Sequence, residues 1–145
     1  SRGLGDVYKR QVIIASLIER EAKLSSEQAT ISGVIQNRLS SKDYPKLQID
    51  ATIQYILGHK GALTNEDLKI DSPYNTYLYD GLPPGAIANP GLDALTAAVN
   101  PEKHDYYFYV AKPDGSHIFS KTYNEHLKAI EEAKRLAAEA EKAAS

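Results

Sequence analysis

The stretch Val12 to Lys23, VIIASLIEREAK, decides the fold, because it predicts a helix that carries an acidic residue on its apolar face. Strong helix formers follow an apolar start, and the stretch contains no glycine or proline. At about 100° per residue, Glu21 falls between Leu17 and Ile18 on the helical wheel. Glu19 falls toward the polar edge, where an ordinary surface carboxylate is expected.

The wheel position of Glu21 predicts an unusual carboxyl group. Apolar neighbours remove water from the charged form, so the pKa rises and a proton can stay on the group near neutral pH. A general acid needs this property. A buried glutamate bonded to a cap, a backbone amide or a basic partner would occupy the same position, and the wheel alone leaves both interpretations open.

The other predicted elements are mostly helical. Ser25 and Gln28 have capping-box spacing, Asp50 can cap a short helix that Gly58 ends, and Pro113-Asp114-Gly115 suits a hairpin turn. Helices are expected over residues 12–23, 25–39, 50–57, 92–99 and 123–144, a helical turn over 64–68, and paired strands over 106–112 and 116–120. The pattern predicts an α+β fold that is mainly helical, with a small β-hairpin.

A long segment rich in proline and glycine, residues 71–91, interrupts the helices. It holds four of the seven prolines of the chain together with Tyr74, Tyr77 and Tyr79. Its aromatic residues argue against disorder, and long ordered loops in compact domains are usually functional. We therefore favour a binding loop over a simple connection.

Composition bounds the class of protein. With 145 residues, 42% of them hydrophobic, the chain suits a single domain with its own core. A net charge of -2 makes nucleic acid an improbable partner, and the absence of cysteine excludes disulfides and thiolate chemistry. No two histidines have metal-binding spacing, and no apolar run is long enough to cross a bilayer.

Residues 1–11, SRGLGDVYKRQ, are interpreted as a leader or a translated vector or adaptor sequence, so the domain is expected over residues 12–145.

Several motifs of the chain occur in the order found in one family. They are ASLIERE (15–21), NRL (37–39), LQIDAT (47–52), YNTY (74–77), GLPPGAIANPG (81–91), GSHIF (115–119) and NEH (124–126). In this ordered combination the sequence resembles the MltG/YceG-like endolytic murein transglycosylases. The YNTY and GLPPG motifs are the most diagnostic pair.

The resemblance implies a peptidoglycan lytic transglycosylase with a lysozyme-like catalytic core that acts within glycan strands. The catalytic glutamate of the family falls on Glu21. Family members usually carry an N-terminal membrane anchor, so the expected location is the extracytoplasmic face of the cytoplasmic membrane. Peptidoglycan strands are the expected partner, with the wall-synthesis machinery as a further one, and no cofactor or metal is expected.

In the implied mechanism Glu21 protonates the glycosidic oxygen between N-acetylmuramic acid and N-acetylglucosamine, then deprotonates the muramic C6 hydroxyl. Attack of that hydroxyl on C1 gives a 1,6-anhydro end, so one carboxyl group serves as acid and base. The candidate substrate contacts in the cleft are Gln48, Asp50, Tyr74, Asn75 and Tyr77.

Several candidates have structural alternatives. Asp50 could cap its helix, and Asn75 could bind loop backbone groups. Asn37 and Arg38 are expected to bind loop carbonyls rather than substrate, and residues 106–109, YYFY, to pack in the sheet. His117 is expected to be structural, with a place at the rim of the cleft left open.

Two other functions are considered. A non-catalytic peptidoglycan-binding module would suit the loop aromatics. A pyridoxal-phosphate aminodeoxychorismate lyase is disfavoured, because the chain is short and has no glycine-rich phosphate motif or lysine in a recognisable context.

Overall fold

Five α-helices, one antiparallel hairpin and two 3₁₀ turns form the part of the chain that the structure, a computed structural model, describes, residues 2–145. The α+β prediction is confirmed. The helices are α1 (Arg2–Glu21), α2 (Gln28–Leu39), α3 (Asp50–Leu57), α4 (Leu92–Val99) and α5 (Tyr123–Ala144). The strands are β1 (Phe108–Ala111) and β2 (His117–Ser120), and the 3₁₀ turns are Ser25–Glu27 and Asp67–Lys69. None of the helices in this described part combines the length and hydropathy that crossing a bilayer requires.

Helix α1 begins much earlier than the apolar stretch predicted. It starts at Arg2, although residues 3–10 are exposed and bury no side chain. Lys9, Arg10 and Gln11 are strong helix formers, and they extend the helix of the buried half toward the N-terminus. Ser1 lies outside the described residues, and the assignment of residues 1–11 to a leader or adaptor stays a prediction.

The start of α2 also differs from the prediction. The capping box expected from Ser25 and Gln28 is wrong, because Ser25 opens a 3₁₀ turn and the cap of α2 falls on Glu27 without a side-chain hydrogen bond. The end of α3 follows the prediction, with Gly58 in the left-handed region at φ 81°.

The core forms around the second half of α1. Every residue from Ile13 to Ile18 is buried, and α1 packs mainly against α4, with α2 and α3 on its other sides. The core cluster consists of Ile14, Ala15, Leu17, Ile18, Ile31, Ile35, Leu47, Ile49, Ile87, Ala94, Ala97 and Ala98. Ser16 joins the long loop to α1, since its hydroxyl accepts from the Ile87 amide at 3.1 Å. The core and this bond therefore fix the position of the second half of α1.

Backbone pairing fixes the long loop beside the start of α3. The Gln48 amide donates to the Thr76 carbonyl at 3.1 Å, and the Ile49 amide donates to the Thr76 hydroxyl at 2.9 Å. That hydroxyl also pairs with Thr52 at 2.9 Å. Residue 77 of the loop is thereby placed next to the first turn of α3.

The hairpin lies between the end of α1 and the start of α5. Its register pairs Phe108 with Ser120 and Tyr109 with Phe119. The turn contains Gly115 at φ 91°, a conformation that glycine adopts without strain. Phe108 stacks on His126 of α5 with ring centroids 4.9 Å apart. These contacts hold β1 facing the end of α1.

Candidate active site

A cleft of about 750 Å³ opens where the end of α1, the start of α3, the hairpin and α5 meet. This volume lies in the range of ligand pockets. The lining residues from the helices and loops are Arg20, Glu21, Lys23, Arg38, Leu47, Gln48, Asp50, Tyr77, Tyr123, His126 and Ile130. The hairpin contributes residues 107–113, Gly115 and His117.

Glu21 lies in this cleft on the last turn of α1, half-buried. Its Oε1 accepts a hydrogen bond from the Tyr109 hydroxyl at 2.7 Å. Burial raises the pKa of the Glu21 carboxyl to about 7, against the lowering effect of the Tyr109 bond, and the charge of Asp50 raises it further. Near neutral pH, comparable fractions of the carboxyl group are protonated and ionised.

Tyr109 acts as a donor to Glu21. Burial, together with the nearby Glu21 carboxylate, raises the pKa of the Tyr109 phenol well above its ordinary value, so the hydroxyl keeps its proton. Among residues 2–145, Tyr109 is the hydrogen-bond partner of the Glu21 carboxyl, and the second oxygen, Oε2, has none. One oxygen is thus oriented while the other is free to carry a proton.

The neighbouring Glu19 differs from Glu21 as the wheel predicted. It is exposed, and its Oε1 accepts from the Gly91 amide at 2.7 Å. This bond joins α1 to the start of α4, away from the cleft.

Asp50 and Tyr77 form a second carboxylate–tyrosine pair in the cleft. The Tyr77 hydroxyl donates to Asp50 Oδ1, and burial followed by this bond raises the pKa of Tyr77 above its ordinary value. The capping alternative for Asp50 is wrong, because the N-cap of α3 is Ile49 and no side-chain bond caps the helix. The Asp50 carboxylate is therefore available to the cleft.

Gln48 lines the cleft in an unusual backbone conformation. It is exposed and has φ 53°, in the left-handed region that non-glycine residues seldom adopt. Such conformations are retained where surrounding structure enforces them and often occur at functional sites.

Two predicted contacts, Tyr74 and Asn75, do not line the cleft. Asn75 is fully buried: its amide nitrogen donates to the Leu68 and Ile70 carbonyls at 3.0 and 2.8 Å, and its side-chain oxygen accepts from the Tyr77 amide at 2.8 Å. Asn75 therefore organises the loop, as its structural alternative predicted. Tyr74 packs its ring against Tyr55 at 5.1 Å.

Asn37 and Arg38 of α2 bind loop carbonyls, as predicted, and most of these carbonyls lie in the segment that leads into the hairpin. Arg38 donates from Nε to the Tyr107 carbonyl and from Nη1 to the Lys46 carbonyl, each at 2.6 Å. Asn37 donates to the carbonyls of His104 and Tyr106, each at 2.9 Å. These bonds fix the chain just before β1, so the Tyr109 hydroxyl is held within hydrogen-bonding distance of Glu21. Arg38 also lines the cleft, which the sequence did not indicate.

Comparison with known protein families identifies the family of this chain. The sequence model of the YceG-like family matches residues 3–132. The chain belongs to the YceG-like family. A protein of Bacillus subtilis (strain 168) named endolytic murein transglycosylase is 47% identical over 119 residues, covering 81% of this chain and 32% of the relative. One of the same name from Streptococcus pneumoniae (D39) is 36% identical over 126 residues, covering 82% of this chain and 22% of the relative.

The fold of this YceG-like domain also matches a solved structure. The crystal structure of a YceG-like protein from Listeria monocytogenes superposes with a TM-score of 0.80 at 43% identity, covering 88% of this chain and 41% of that one. The chain thus spans about a third or less of the length of the curated relatives described above.

The sequence interpretation of this YceG-like site missed Tyr109, the hydrogen-bond partner of Glu21. The sequence predicts that residues 106–109 pack in the sheet, and Phe108 of β1 is buried with its ring stacked on His126 of α5. Strand alternation predicts that Tyr109 points to the opposite face. What lies on that face, the Glu21 carboxyl, depends on tertiary contacts that no local pattern encodes.

His117 supports Tyr109 from β2. Its Nδ1 lies 2.9 Å from Glu27 Oε1, and its backbone amide donates to Glu27 Oε2 at 3.1 Å. Its ring contacts Tyr109 edge-on at 5.3 Å. The predicted structural role is confirmed, and the residue also lines the cleft.

Proposed function

We propose that this domain is the catalytic domain of an endolytic peptidoglycan lytic transglycosylase. It cleaves the bond between N-acetylmuramic acid and N-acetylglucosamine within glycan strands and leaves 1,6-anhydro-muramic ends. Two relatives bear the name endolytic murein transglycosylase. The observation that carries the proposal is the Glu21 carboxyl, which lies in a cleft with a pKa of about 7 and one free oxygen.

The first step uses Glu21 as an acid. The protonated carboxyl donates its proton to the glycosidic oxygen, and the C1–O bond breaks with its electron pair on the leaving N-acetylglucosamine oxygen. Positive charge then develops on C1 and the ring oxygen of muramic acid. A pKa near 7 is suited to this role, because the acid is present at neutral pH and still gives up its proton readily.

The second step uses the same group as a base. The Glu21 carboxylate removes the proton of the muramic C6 hydroxyl, and O6 attacks C1 to close the 1,6-anhydro ring. The carboxyl is thereby protonated again, and no water enters the reaction. The Tyr109 hydroxyl stabilises the carboxylate between the two steps through its bond to Oε1.

The remaining cleft groups are proposed to bind the sugars. Gln48 and Asp50 are exposed in the cleft and can bind hydroxyl and N-acetyl groups, and the ring of Tyr77 can lie against a sugar face. Tyr74 and Asn75 would contribute indirectly, through the shape of the loop. We further propose that the helical core is lysozyme-like and that residues 71–91 form the binding loop.

The proposed location is the extracytoplasmic face of the cytoplasmic membrane, held by the membrane anchor that the family resemblance implies. There the domain would meet newly made glycan strands. The wall-synthesis machinery is the proposed partner of the full-length protein.

Mass analysis of purified peptidoglycan after incubation with the domain tests the function. We expect anhydro-ended fragments from the domain and from Glu19→Gln, the matched control on the same helix, and none from Glu21→Gln. Reducing ends would instead indicate hydrolysis, for which Asp50 would supply the second carboxylate. Glycan binding without products in every variant would indicate the non-catalytic binding module.

A further inference from the structure

One end of the cleft is basic. Arg20, Lys23 and Lys112 all line it; the first two are exposed and Lys112 is half-buried. A Cβ atom placed on Gly115 would lie 3.4 Å from the Cβ of Lys23, so the end of α1 and the hairpin turn are in contact here. The three cations therefore come from two elements that converge at one end of the cleft.

Among the described residues 2–145, none of these three cations forms an ion pair with a carboxylate. The nearby acids are engaged elsewhere. Glu27 binds His117, and Asp114 accepts bonds from the Ser116 amide at 2.9 Å and hydroxyl at 2.6 Å. The bonds from Ser116 lower the pKa of Asp114, and the charge of Lys112 lowers it to a smaller extent. Asp114 therefore offsets part of the positive potential near Lys112 without forming an ion pair with it.

The basic end is not a consequence of the overall charge, because the chain carries a formal net charge of -2. The two carboxylates of the cleft, Glu21 and Asp50, are each bonded to a tyrosine. The cleft therefore combines an acid–base centre with a separate group of unpaired cations. A complementary ligand is an uncharged sugar chain that carries carboxylates on a side arm.

We propose that Arg20, Lys23 and Lys112 bind the carboxylates that muramic acid carries on its O3 lactyl arm. This inference rests on the proposed function. The glycan backbone itself is uncharged, so its negative charge comes from this arm. The arm ends in the lactyl carboxylate when the peptide has been removed, and otherwise continues into a peptide with carboxylates of its own. Charged arms would orient the strand so that the scissile oxygen faces Glu21.

The experiment measures kcat/KM on three substrates. They are peptide-bearing strands, the same strands with their carboxylates converted to amides, and strands from which an amidase has removed the peptides. We expect the amidated strands to be cut about tenfold more slowly, since two or three partly exposed charge contacts are lost. The preference should weaken as ionic strength rises. The third substrate shows whether the lactyl carboxylate alone is sufficient or the peptide is needed.

The variant Lys23→Gln/Lys112→Gln should lose most of this preference, so that it cuts native and amidated strands at similar rates. The matched control is Lys103→Gln/Lys128→Gln, which removes two exposed lysines that do not line the cleft. An unchanged preference in the first variant would overturn the inference, as would equal rates on native and amidated strands. If no variant or substrate gave products, the proposed function itself would be wrong.

Discussion

At the scale of single residues, one local pattern predicted the central group. The helical wheel placed Glu21 with the apolar residues and Glu19 at the edge, and the two side chains differ in this way in the structure. The hydrogen-bond partner of Glu21 was not predictable, because Tyr109 is 88 residues away in sequence. Periodicity reports which face of an element is buried, whereas it carries no information on which distant side chain meets that face.

Tyr109→Phe tests the role of this partner as a positioning residue. Removing the hydroxyl removes the bond that lowers the Glu21 pKa, so the pKa should rise and the pH–rate profile should move to higher pH. Loss of a bond to a charged group corresponds to a fall in kcat of about ten- to hundredfold. KM should change little, because Tyr109 orients Glu21 and is not proposed to bind sugar.

Pre-steady-state and steady-state rates over a range of pH would provide this measurement. Tyr106→Phe is the control, since it removes a hydroxyl from the same segment without touching Glu21. A Tyr109→Phe profile that coincides with that of the parent domain would contradict the proposed positioning.

At the scale of elements, the sequence predicted the number and type of helices and the hairpin. Its errors lie at helix starts. Neither Ser25 nor Asp50 serves as the expected cap, since α2 is preceded by a 3₁₀ turn and Asp50 bonds to Tyr77. Capping rules describe local options, and tertiary partners decide between them. The sequence indicated that the loop of residues 71–91 is ordered. It left two roles open for Asn75, a substrate contact or a contact to the loop backbone, and the tertiary structure decides between them.

Asn75→Ala tests how that loop is held. The substitution leaves the Leu68 and Ile70 carbonyls and the Tyr77 amide without their partner in a fully buried site. We expect the free energy of unfolding to fall by about 2–4 kcal/mol, because buried polar groups without partners are costly. Urea unfolding followed by circular dichroism measures the change.

Asn89→Ala, an exposed residue in the same loop, is the matched control and should change stability by less than about 0.5 kcal/mol. Should Asn75→Ala unfold like the control and instead raise KM, Asn75 would be a substrate contact rather than the organiser of the loop.

At the scale of the whole molecule, the chemistry of Glu21 is a property of the assembled fold. Helix α1 supplies the carboxyl, β1 the donor, and the loop and α3 the Tyr77–Asp50 pair. Arg38 connects these parts by bonding the chain before β1 and the chain before α3. The isolated helix would leave Glu21 in water, where the pKa of a glutamate is about 4.3. Assembly of the cleft is therefore what turns this carboxyl into an acid for neutral pH.

The most direct test of this account is an NMR titration of the Glu21 side-chain carbon in the folded domain, assigned by comparison with Glu21→Gln. We predict a midpoint near pH 7, as burial of the carboxyl implies, and a midpoint close to that of an ordinary glutamate once the domain is unfolded in urea. A midpoint close to that of an ordinary glutamate in the folded domain would show that the carboxyl is hydrated there and would contradict its role as the acid.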